Sequence, residues 1–204
     1  MKVAVIDLQY LPCLDYFTVI NQYDKVFIEM KEHFVKQTYR NRTYIRAANS
    51  VQRLSIPVQT GSQSLPMDEV KIDYSQNWID MHWRTFKSAY GKAPFFDYFA
   101  HEIEQILKKE TPNLAELNFE LLTICLKFLQ IDTQIVKTEE YLHVYPEEIS
   151  DLRSLIHPKK DSLYQYPPYF QLFGDTFVQN LSIVDALLCE GLTTNIVIDS
   201  AIKK

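Results

Sequence analysis

Apolar and polar positions follow two different periods along the first part of the chain. The run Val3 to Ile6 has a strand pattern, and beyond Pro12 the apolar positions recur at helical spacing as far as Tyr23. The stretch KVFIEM returns to a strand pattern, and TYIRA and VQRLSIPV flank the turn residue Asn49. The pattern therefore predicts strand, helix, strand and hairpin in that order, then a loop over 60–69 and a short strand at VKIDY.

The middle of the chain, about residues 77–130, is predicted to be helical. In NWIDMHWRTFKSAYG the apolar positions recur at i, i+4, i+7 and i+11, which is one buried stripe of a helix. Pro94 opens a second helix and Asn113 caps a third. We expect these helices to pack through six side chains: Trp83, Phe86, Phe95, Phe99, Leu121 and Phe128.

The last third of the chain is less regular. TQIVK has a strand pattern, 147–156 is predicted as a helix that stops before Pro158, and NLSIVDALLCEG as a helix begun by Asn180 and ended by Gly191. TNIVIDS predicts a last short strand. Strands that alternate with helices indicate an α/β protein, a layered domain with a central mixed sheet and an inserted helical block. We expect one such domain over residues 1–204.

Composition and charge narrow the classes of function. The formal net charge is −5, from 21 basic and 26 acidic side chains, which disfavours a duplex nucleic-acid binder. The four glycines are far apart, which excludes a P-loop and a dinucleotide-binding glycine motif. The three cysteines show neither zinc spacing nor a disulfide framework, and no apolar run has signal-peptide or membrane-spanning length. We therefore expect a cytoplasmic protein without membrane insertion.

Residues 31–46 depart from this acidic average. The segment holds five cations and one carboxylate, a net charge of +4. Within VKQTYRNR, Lys36, Arg40 and Arg42 are candidate phosphate contacts, because guanidinium groups bind phosphate in a bidentate manner. Asn41 is the candidate to bind a sugar or orient an arginine, and Tyr39 offers a flat contact for a ring. The alternative is a solvated basic face that only neutralises acidic groups elsewhere.

Candidate catalytic groups are few. On the first predicted helix of the block, Trp78 and His82 belong to a second stripe, where His82 is either a general base or a histidine at the edge of the core. Asp185 and Asp7 form an acid–base pair only if the fold brings them together. Cys13 follows a proline at a helix start, and a small buried side chain is the favoured interpretation over a nucleophile. The five histidines have no metal-ligand spacing, and no cofactor is indicated.

Several stretches together resemble one family. LPCLDYF, VKQTYRNRTYI, RLSIPV, WIDMHWRTFKSAYGKAPFF, DLRSLIHPKK, YFQ and NLSIVDALLCEG are similar to the WbqC-like family, and the likeness runs from about residue 3 to 191. The variant EHFVKQTYRNR is similar to the branch found in Bacteroides-type bacteria. The chain departs from the family at Ile6-Asp7-Leu8, where many relatives carry His-Gln-Pro.

The resemblance implies a set of site residues and a pathway. The family pattern falls on Pro12, Tyr16, Lys36, Asn41, Arg42, Trp78, His82, Tyr90, Pro94, Tyr169, Gln171, Leu181, Ser182 and Asp185. With the patterns above, it makes His82 and Asp185 the candidate catalytic groups, and Tyr16, Trp78, Tyr169 and Gln171 candidate substrate contacts beside the cationic segment.

Members of the family resemble products of O-antigen and surface-polysaccharide gene clusters, with a suggested transfer of glycine to an amino sugar. The implied partner is a phosphorylated sugar or a nucleotide-linked small molecule. Two hypotheses stay open: a transferase, or a non-catalytic binding or scaffold protein of the same pathway. A general base close to the cations would favour the transferase, and an exposed apolar face without a pocket would favour the scaffold.

Overall fold

The computed structural model describes residues 1–204. The first elements, in chain order, are β1 (Val3–Asp7), α1 (Leu14–Ile20), β2 (Lys25–Glu29), β3 (Arg42–Arg46), β4 (Val51–Ser55), α2 (Trp78–Tyr90), α3 (Phe96–Lys108) and α4 (Leu114–Phe128). They are followed by β5 (Gln134–Lys137), β6 (Ile149–Asp151), β7 (Tyr164–Gln165), α5 (Ile183–Glu190), α6 (Thr194–Asp199) and β8 (Ile202–Lys203). This succession confirms the α/β class and the helical block between the hairpin and β5.

Four strands form the central sheet, in the order β5-β2-β1-β6. All neighbours run parallel, with Val5 of β1 opposite Phe27 of β2 and Asp151 of β6. The sheet is therefore parallel rather than mixed, and the antiparallel pairs, β3 with β4 and β7 with β8, lie outside it. Because the strands are parallel, their carboxyl ends meet at one edge of the sheet, where ligands bind in open α/β folds.

The helical block packs as its periodicity predicts. The stripe Ile79, Trp83, Phe86 and Tyr90 of α2 is buried, and Asn113 accepts hydrogen bonds from two backbone amides in the first turn of α4. Phe99 lies 4.7 Å from Phe128 between ring centroids, and both are partly buried against the core. The prediction of packing is confirmed for Trp83, Phe86, Phe99, Leu121 and Phe128, whereas Phe95 is half-buried and is not among the side chains that pack on the core. On α3 the buried face is centred on Ala100, Ile103 and Leu107, so Phe95 and Phe99 lie at its side.

Two predicted elements near the C-terminus are wrong. Residues 147–156 contain the strand β6 instead of a helix, because Ile149–Asp151 pairs with Val3, Ala4 and Val5 of β1. TNIVIDS contains the helix α6 instead of a strand. Its Val197 and Ile198 are buried on the core, and Asn195 donates to the Leu129 carbonyl just beyond α4. In both cases tertiary contacts override local propensity.

Two smaller expectations also change. VKIDY forms only isolated bridges, from Lys71 to Asn113 and from Ile72 to Val58. Asn180 does not cap α5, whose N-cap residue is Ser182. Asn180 adopts a positive φ of 56° and accepts a hydrogen bond from the Asp15 amide, 2.9 Å away, in the first turn of α1. The residue therefore caps a helix far from it in sequence.

None of the helices combines the length and the apolar character that spanning a lipid bilayer requires.

Candidate functional site

The cationic segment leaves β2 at the carboxyl edge of the sheet and ends in the hairpin. Lys36 is exposed and forms no ion pair, whereas Tyr39 is buried and packs edge-on against Tyr44 at 6.0 Å between ring centroids. The Tyr39 carbonyl accepts a hydrogen bond from the Tyr10 amide at 2.9 Å, which attaches the segment to the loop after β1. The five residues predicted as one wall therefore differ strongly in exposure.

Arg40 is buried in an ion network. Its Nε and Nη2 donate to the two carboxylate oxygens of Glu32 at 2.8 and 2.7 Å, and Nη1 lies 3.7 Å from an oxygen of Asp7. Burial alone would lower the pKa of Arg40, but the two carboxylates raise it above its ordinary value, so the group stays charged. Asn118 of α4 fixes the Arg40 carbonyl through a 2.7 Å hydrogen bond. The predicted phosphate contact thus already has two carboxylate partners within the protein.

Asp7 ends β1 at the position where the chain departs from its relatives. Its carboxylate accepts hydrogen bonds from the Ser154 amide at 2.7 Å and from Gln9 Nε2 at 3.0 Å. Tyr16, predicted to bind substrate, is fully buried and donates its hydroxyl to the Asp7 carbonyl at 2.9 Å. Asp7 therefore joins the end of β1 to the loop after β6 and to Arg40.

Asn41 holds the base of the hairpin. Its Nδ2 donates to the Ile56 carbonyl at 2.8 Å, and its own carbonyl accepts from the Ile56 amide at the same distance. Its Oδ1 is buried without a hydrogen-bond partner. The side chain that was predicted to bind a sugar or orient an arginine therefore has one acceptor atom left to satisfy.

One face of the hairpin carries three arginines, and we call it the arginine face. Alternate residues of a strand share a face, and directly opposed residues are neighbours, with Arg42 opposite Ser55 and Tyr44 opposite Arg53. The face is formed by Arg42, Tyr44, Arg46, Val51, Arg53 and Ser55. None of its arginines forms an ion pair, and Arg42 Nε and Ser55 Oγ are both buried without a partner.

The three arginines of this face differ in freedom. Arg46 is held in place, because its Nε donates to the Phe173 carbonyl at 3.1 Å. Gly174 has a φ of 85°, which favours glycine, and a Cβ there would lie 1.8 Å from Arg46 Nη2, so a side chain at this position would displace the guanidinium. Arg42 is half-buried and Arg53 is exposed. Unpaired guanidinium groups beside a hydroxyl are suited to an oxyanion, with bidentate hydrogen bonds from the arginines.

Asp185 is the centre of a second buried network. Its carboxylate accepts hydrogen bonds from the hydroxyls of Tyr90 at 2.7 Å and Tyr169 at 2.6 Å and from Gln171 Nε2 at 2.8 Å. Burial raises the pKa of Asp185, while these hydrogen bonds oppose the shift. The Tyr90 hydroxyl also accepts from the Arg46 amide at 3.1 Å, which joins the network to β3. Four residues of the family pattern therefore meet in space.

His82 is fully buried between aromatic rings. Its Nδ1 lies 2.9 Å from the Tyr10 hydroxyl, its ring centroid lies 5.1 Å from that of Trp78, and Nε2 has no hydrogen-bond partner. Burial lowers the pKa of His82 to about 4, so the imidazole is neutral at pH 7. Trp78 is also buried, and its Nε1 is unpaired. No hydrogen bond or ion pair joins His82 to Lys36, Arg40 or Arg42.

The structure therefore gathers the predicted residues into four groups, of which His82 with Trp78 is one, and leaves Lys36 apart. Arg40 lies with Asp7 at the sheet edge, Arg42 lies on the arginine face, and Asp185 joins Tyr169 and Gln171. Sequence analysis missed Arg53 and Ser55, which lie outside the segment of dense charge. The predicted hairpin contained the signal, because its register places them opposite Tyr44 and Arg42.

Comparisons with known proteins found one relative and one matching family. The chain is 30% identical over 142 residues to the protein described as Uncharacterized protein Rv1507c of Mycobacterium tuberculosis. The matched stretch covers 69% of this chain but 61% of that relative, so the chain spans less than two thirds of its length. No solved structure matches the chain.

Residues 9–158 match the sequence model of the WbqC-like protein family. This range takes in Arg40 and Glu32, the hairpin and the helical block, and it is most of the 204-residue chain, while Asp7 precedes it. The chain belongs to the WbqC-like protein family.

Proposed function

We propose that the protein is a transferase of bacterial surface-polysaccharide synthesis, of the O-antigen kind. In this proposal it transfers the acyl group of an activated amino acid, glycine being the first candidate, to the amine of a phosphorylated or nucleotide-linked amino sugar, and the activating group of the donor leaves as the amide bond forms. The arginine face binds the phosphate of that ligand, and Lys36 on the preceding loop adds an exposed ammonium group. Family membership supports the pathway, and the arginine face supports the class of ligand.

One observation carries the proposal. Three guanidinium groups lie on one face of a two-stranded ribbon, and none of them is paired with a carboxylate, although acidic side chains outnumber basic ones in the chain. The other two arginines near acidic groups, Arg40 and Arg153, are both paired. If the face only neutralised surplus acid, its arginines would be paired in the same way.

The buried polar atoms of the face favour a specific ligand over a diffuse basic surface. A buried donor without a partner costs about 1–3 kcal/mol, so Arg42 Nε and Ser55 Oγ each lose free energy as they stand. Phosphate oxygens accept from guanidinium and hydroxyl groups, so a phosphate on this face would give both groups an acceptor once the Arg42 and Ser55 side chains turn toward it. Charge-assisted hydrogen bonds of this kind are about twice as strong as neutral ones.

A thermal-shift series tests the proposed ligand class. We expect nucleotide sugars or sugar phosphates to stabilise the protein, by about 2.7 kcal/mol at 100 times the dissociation constant, and the matching unphosphorylated sugars to do less. Arg53→Ala removes an exposed guanidinium of the face and should reduce the stabilisation. Arg84→Ala is the matched control, because Arg84 is exposed on α2 and forms no ion pair. Equal stabilisation of the two variants by every phosphorylated ligand contradicts the proposal.

A non-catalytic phosphosugar-binding protein is the second candidate, and one observation favours it. Both predicted catalytic groups, His82 and Asp185, are fully buried and bonded to tyrosine hydroxyls. A general base must reach its proton within about 3 Å or through one water. Incubation of the protein with a binding nucleotide sugar and activated glycine separates the two candidates. Aminoacylated sugar is the product expected of a transferase, and binding without any product supports the second candidate.

A further inference from the structure

A pocket of about 470 Å³ lies outside the carboxyl ends of β2 and β5. After β2 it is lined by Lys31, Glu32, His33 and Val35, and after β5 by Tyr141 and His143. Its volume falls within the range of about 300–1,000 Å³ that is usual for small-molecule sites. It lies at the carboxyl edge of the sheet, beside β2 and β5 rather than at the switch point between β1 and β6, where open α/β sheets most often bind ligands. We call it the edge pocket, and it shares no residue with the arginine face.

The charges that line the edge pocket are already compensated. Both carboxylate oxygens of Glu32 are bound to Arg40, and the Lys31 ammonium is paired with Asp68. The imidazoles of His33 and His143 supply both a donor and an acceptor when neutral. The two histidines and Glu32 are not arranged to hold a metal ion. The lining therefore offers hydrogen bonds of both kinds without a surplus of either charge.

One wall of the edge pocket is fixed by Arg153. This guanidinium is held by Asp151 and Glu29, and its Nη1 donates to the Leu142 carbonyl at 2.8 Å. It lies 4.9 Å from the centroid of the Tyr141 ring. The ring of His143 stands edge-on to Tyr141, 5.1 Å away. The loop that presents these two rings is thus attached to the sheet before any ligand arrives, which lowers the entropic cost of binding.

We propose that the edge pocket binds a neutral, hydroxyl-rich ring the size of a monosaccharide. Hydroxyl groups both donate and accept, so they match the carboxylate of Glu32, the ammonium of Lys31 and the two imidazoles. Tyr141 supplies a flat surface for one face of the ring, and 42% of the residue is exposed. The charged groups of the edge pocket are paired, which disfavours binding of a free anion. The arginines of the arginine face form no ion pair and therefore favour an anion. The inference goes beyond the proposed function and does not depend on the phosphate contact.

Ligand-observed NMR with unphosphorylated monosaccharides tests this site. The probes are glucose, galactose and N-acetylglucosamine at millimolar concentration, with inorganic phosphate as the anionic probe. We expect at least one neutral sugar to bind, and Tyr141→Ala to weaken its binding about tenfold. His33→Ala is a second exposed change in the lining and should also weaken it. Tyr98→Ala is the matched control, because Tyr98 is an exposed tyrosine on α3 that does not line the pocket.

The outcomes separate this site from the arginine face. Binding that is lost in Tyr141→Ala or His33→Ala and kept in Tyr98→Ala and Arg42→Ala supports the edge pocket. If no neutral sugar binds, or if both lining variants bind as well as the parent, the inference is overturned. The two proposals can also fail separately. If Arg42→Ala loses nucleotide-sugar binding and no neutral sugar binds to the parent, the proposed function is supported and the edge pocket is overturned.

Discussion

Arg40 and Arg42 are two residues apart, yet their surroundings differ completely. Arg40 is 2% exposed and bound to Glu32 on both oxygens, whereas Arg42 forms no ion pair and has a buried Nε without a partner. The number of charged residues in this part of the sequence does not distinguish Arg40 from Arg42. Which carboxylate binds Arg40 depends on how the loop folds back. At the scale of the residue, the presence of a carboxylate partner determines which cation is free to bind a ligand.

Removing the Arg40 guanidinium should destabilise the fold strongly. Arg40→Met keeps much of the side-chain volume but leaves Glu32 and Asp7 buried without a cation. Breaking a buried ion pair from one side costs about 3–5 kcal/mol. Urea unfolding measures the loss, with Arg84→Met as the control, for which we expect a change within about 0.5 kcal/mol. A loss below about 1 kcal/mol for Arg40→Met would show that the carboxylates do not depend on Arg40.

His82 should make stability depend on pH below neutrality. Its pKa is about 4 in the fold because of burial, and an unfolded histidine has a pKa of about 6.5. The unfolded state therefore binds the proton first, so the stabilising contribution is complete above pH 6.5 and is lost as the pH falls to 4. The loss amounts to about 3 kcal/mol.

The variant His82→Asn isolates this contribution, because asparagine does not titrate and can still reach Tyr10. The gap in unfolding free energy between parent and variant should narrow by about 3 kcal/mol from pH 7 to pH 4. Glu32 and Asp185, whose pKa values are raised by burial, are present in both proteins and cancel in the difference. A gap that stays constant over this range would show that His82 is accessible to protons in the fold.

Among the elements, those defined by a long local pattern were predictable and those defined by a distant partner were not. The helices α2 and α4 span 13 and 15 residues, long enough for several turns of buried periodicity. The strand β6 has three residues, and only its pairing with β1 makes it a strand. The run TNIVID is rich in β-branched residues, but it forms a helix whose buried face packs against the core. The same is true of the site. Arg42 could be predicted from the local sequence, whereas Arg53 and Ser55 could be identified only from the register of the hairpin.

The cap that Asn180 provides to α1 is a contact between distant parts of the chain, and it can be measured. Asn180→Gly keeps the positive φ but removes the acceptor of the Asp15 amide and the donor to the Asp15 carboxylate. We expect a loss of about 1–3 kcal/mol in the free energy of unfolding, the cost of leaving the Asp15 amide without its acceptor. Asn180→Ala should cost about 1 kcal/mol more, because the left-handed backbone conformation at this position is unfavourable for alanine. Equal stability of the glycine variant and the parent would show that α1 needs no cap from this residue.

At the scale of the whole molecule, the parallel sheet and the helical block support the hairpin. The sheet brings the ends of β1, β2 and β6 together, so that Asp7, Glu32 and Ser154 meet around Arg40. That network fixes the start of the hairpin, while Asp185 and Tyr90 hold its other side through the Arg46 amide. The arginine face is thus supported from both flanks and needs none of its own guanidinium groups for that support, apart from Arg46.

The central claim is that Arg42 binds phosphate and does not merely balance charge. Isothermal titration calorimetry of the best-binding nucleotide sugar against Arg42→Ala, with Arg84→Ala as the control, tests it most directly. Arg42 forms no ion pair, so Arg42→Ala should fold as the parent does and bind more weakly by about 1.5–3 kcal/mol, while Arg84→Ala binds unchanged. An Arg42→Ala protein that unfolds, or that binds the nucleotide sugar as tightly as the parent, would contradict the claim.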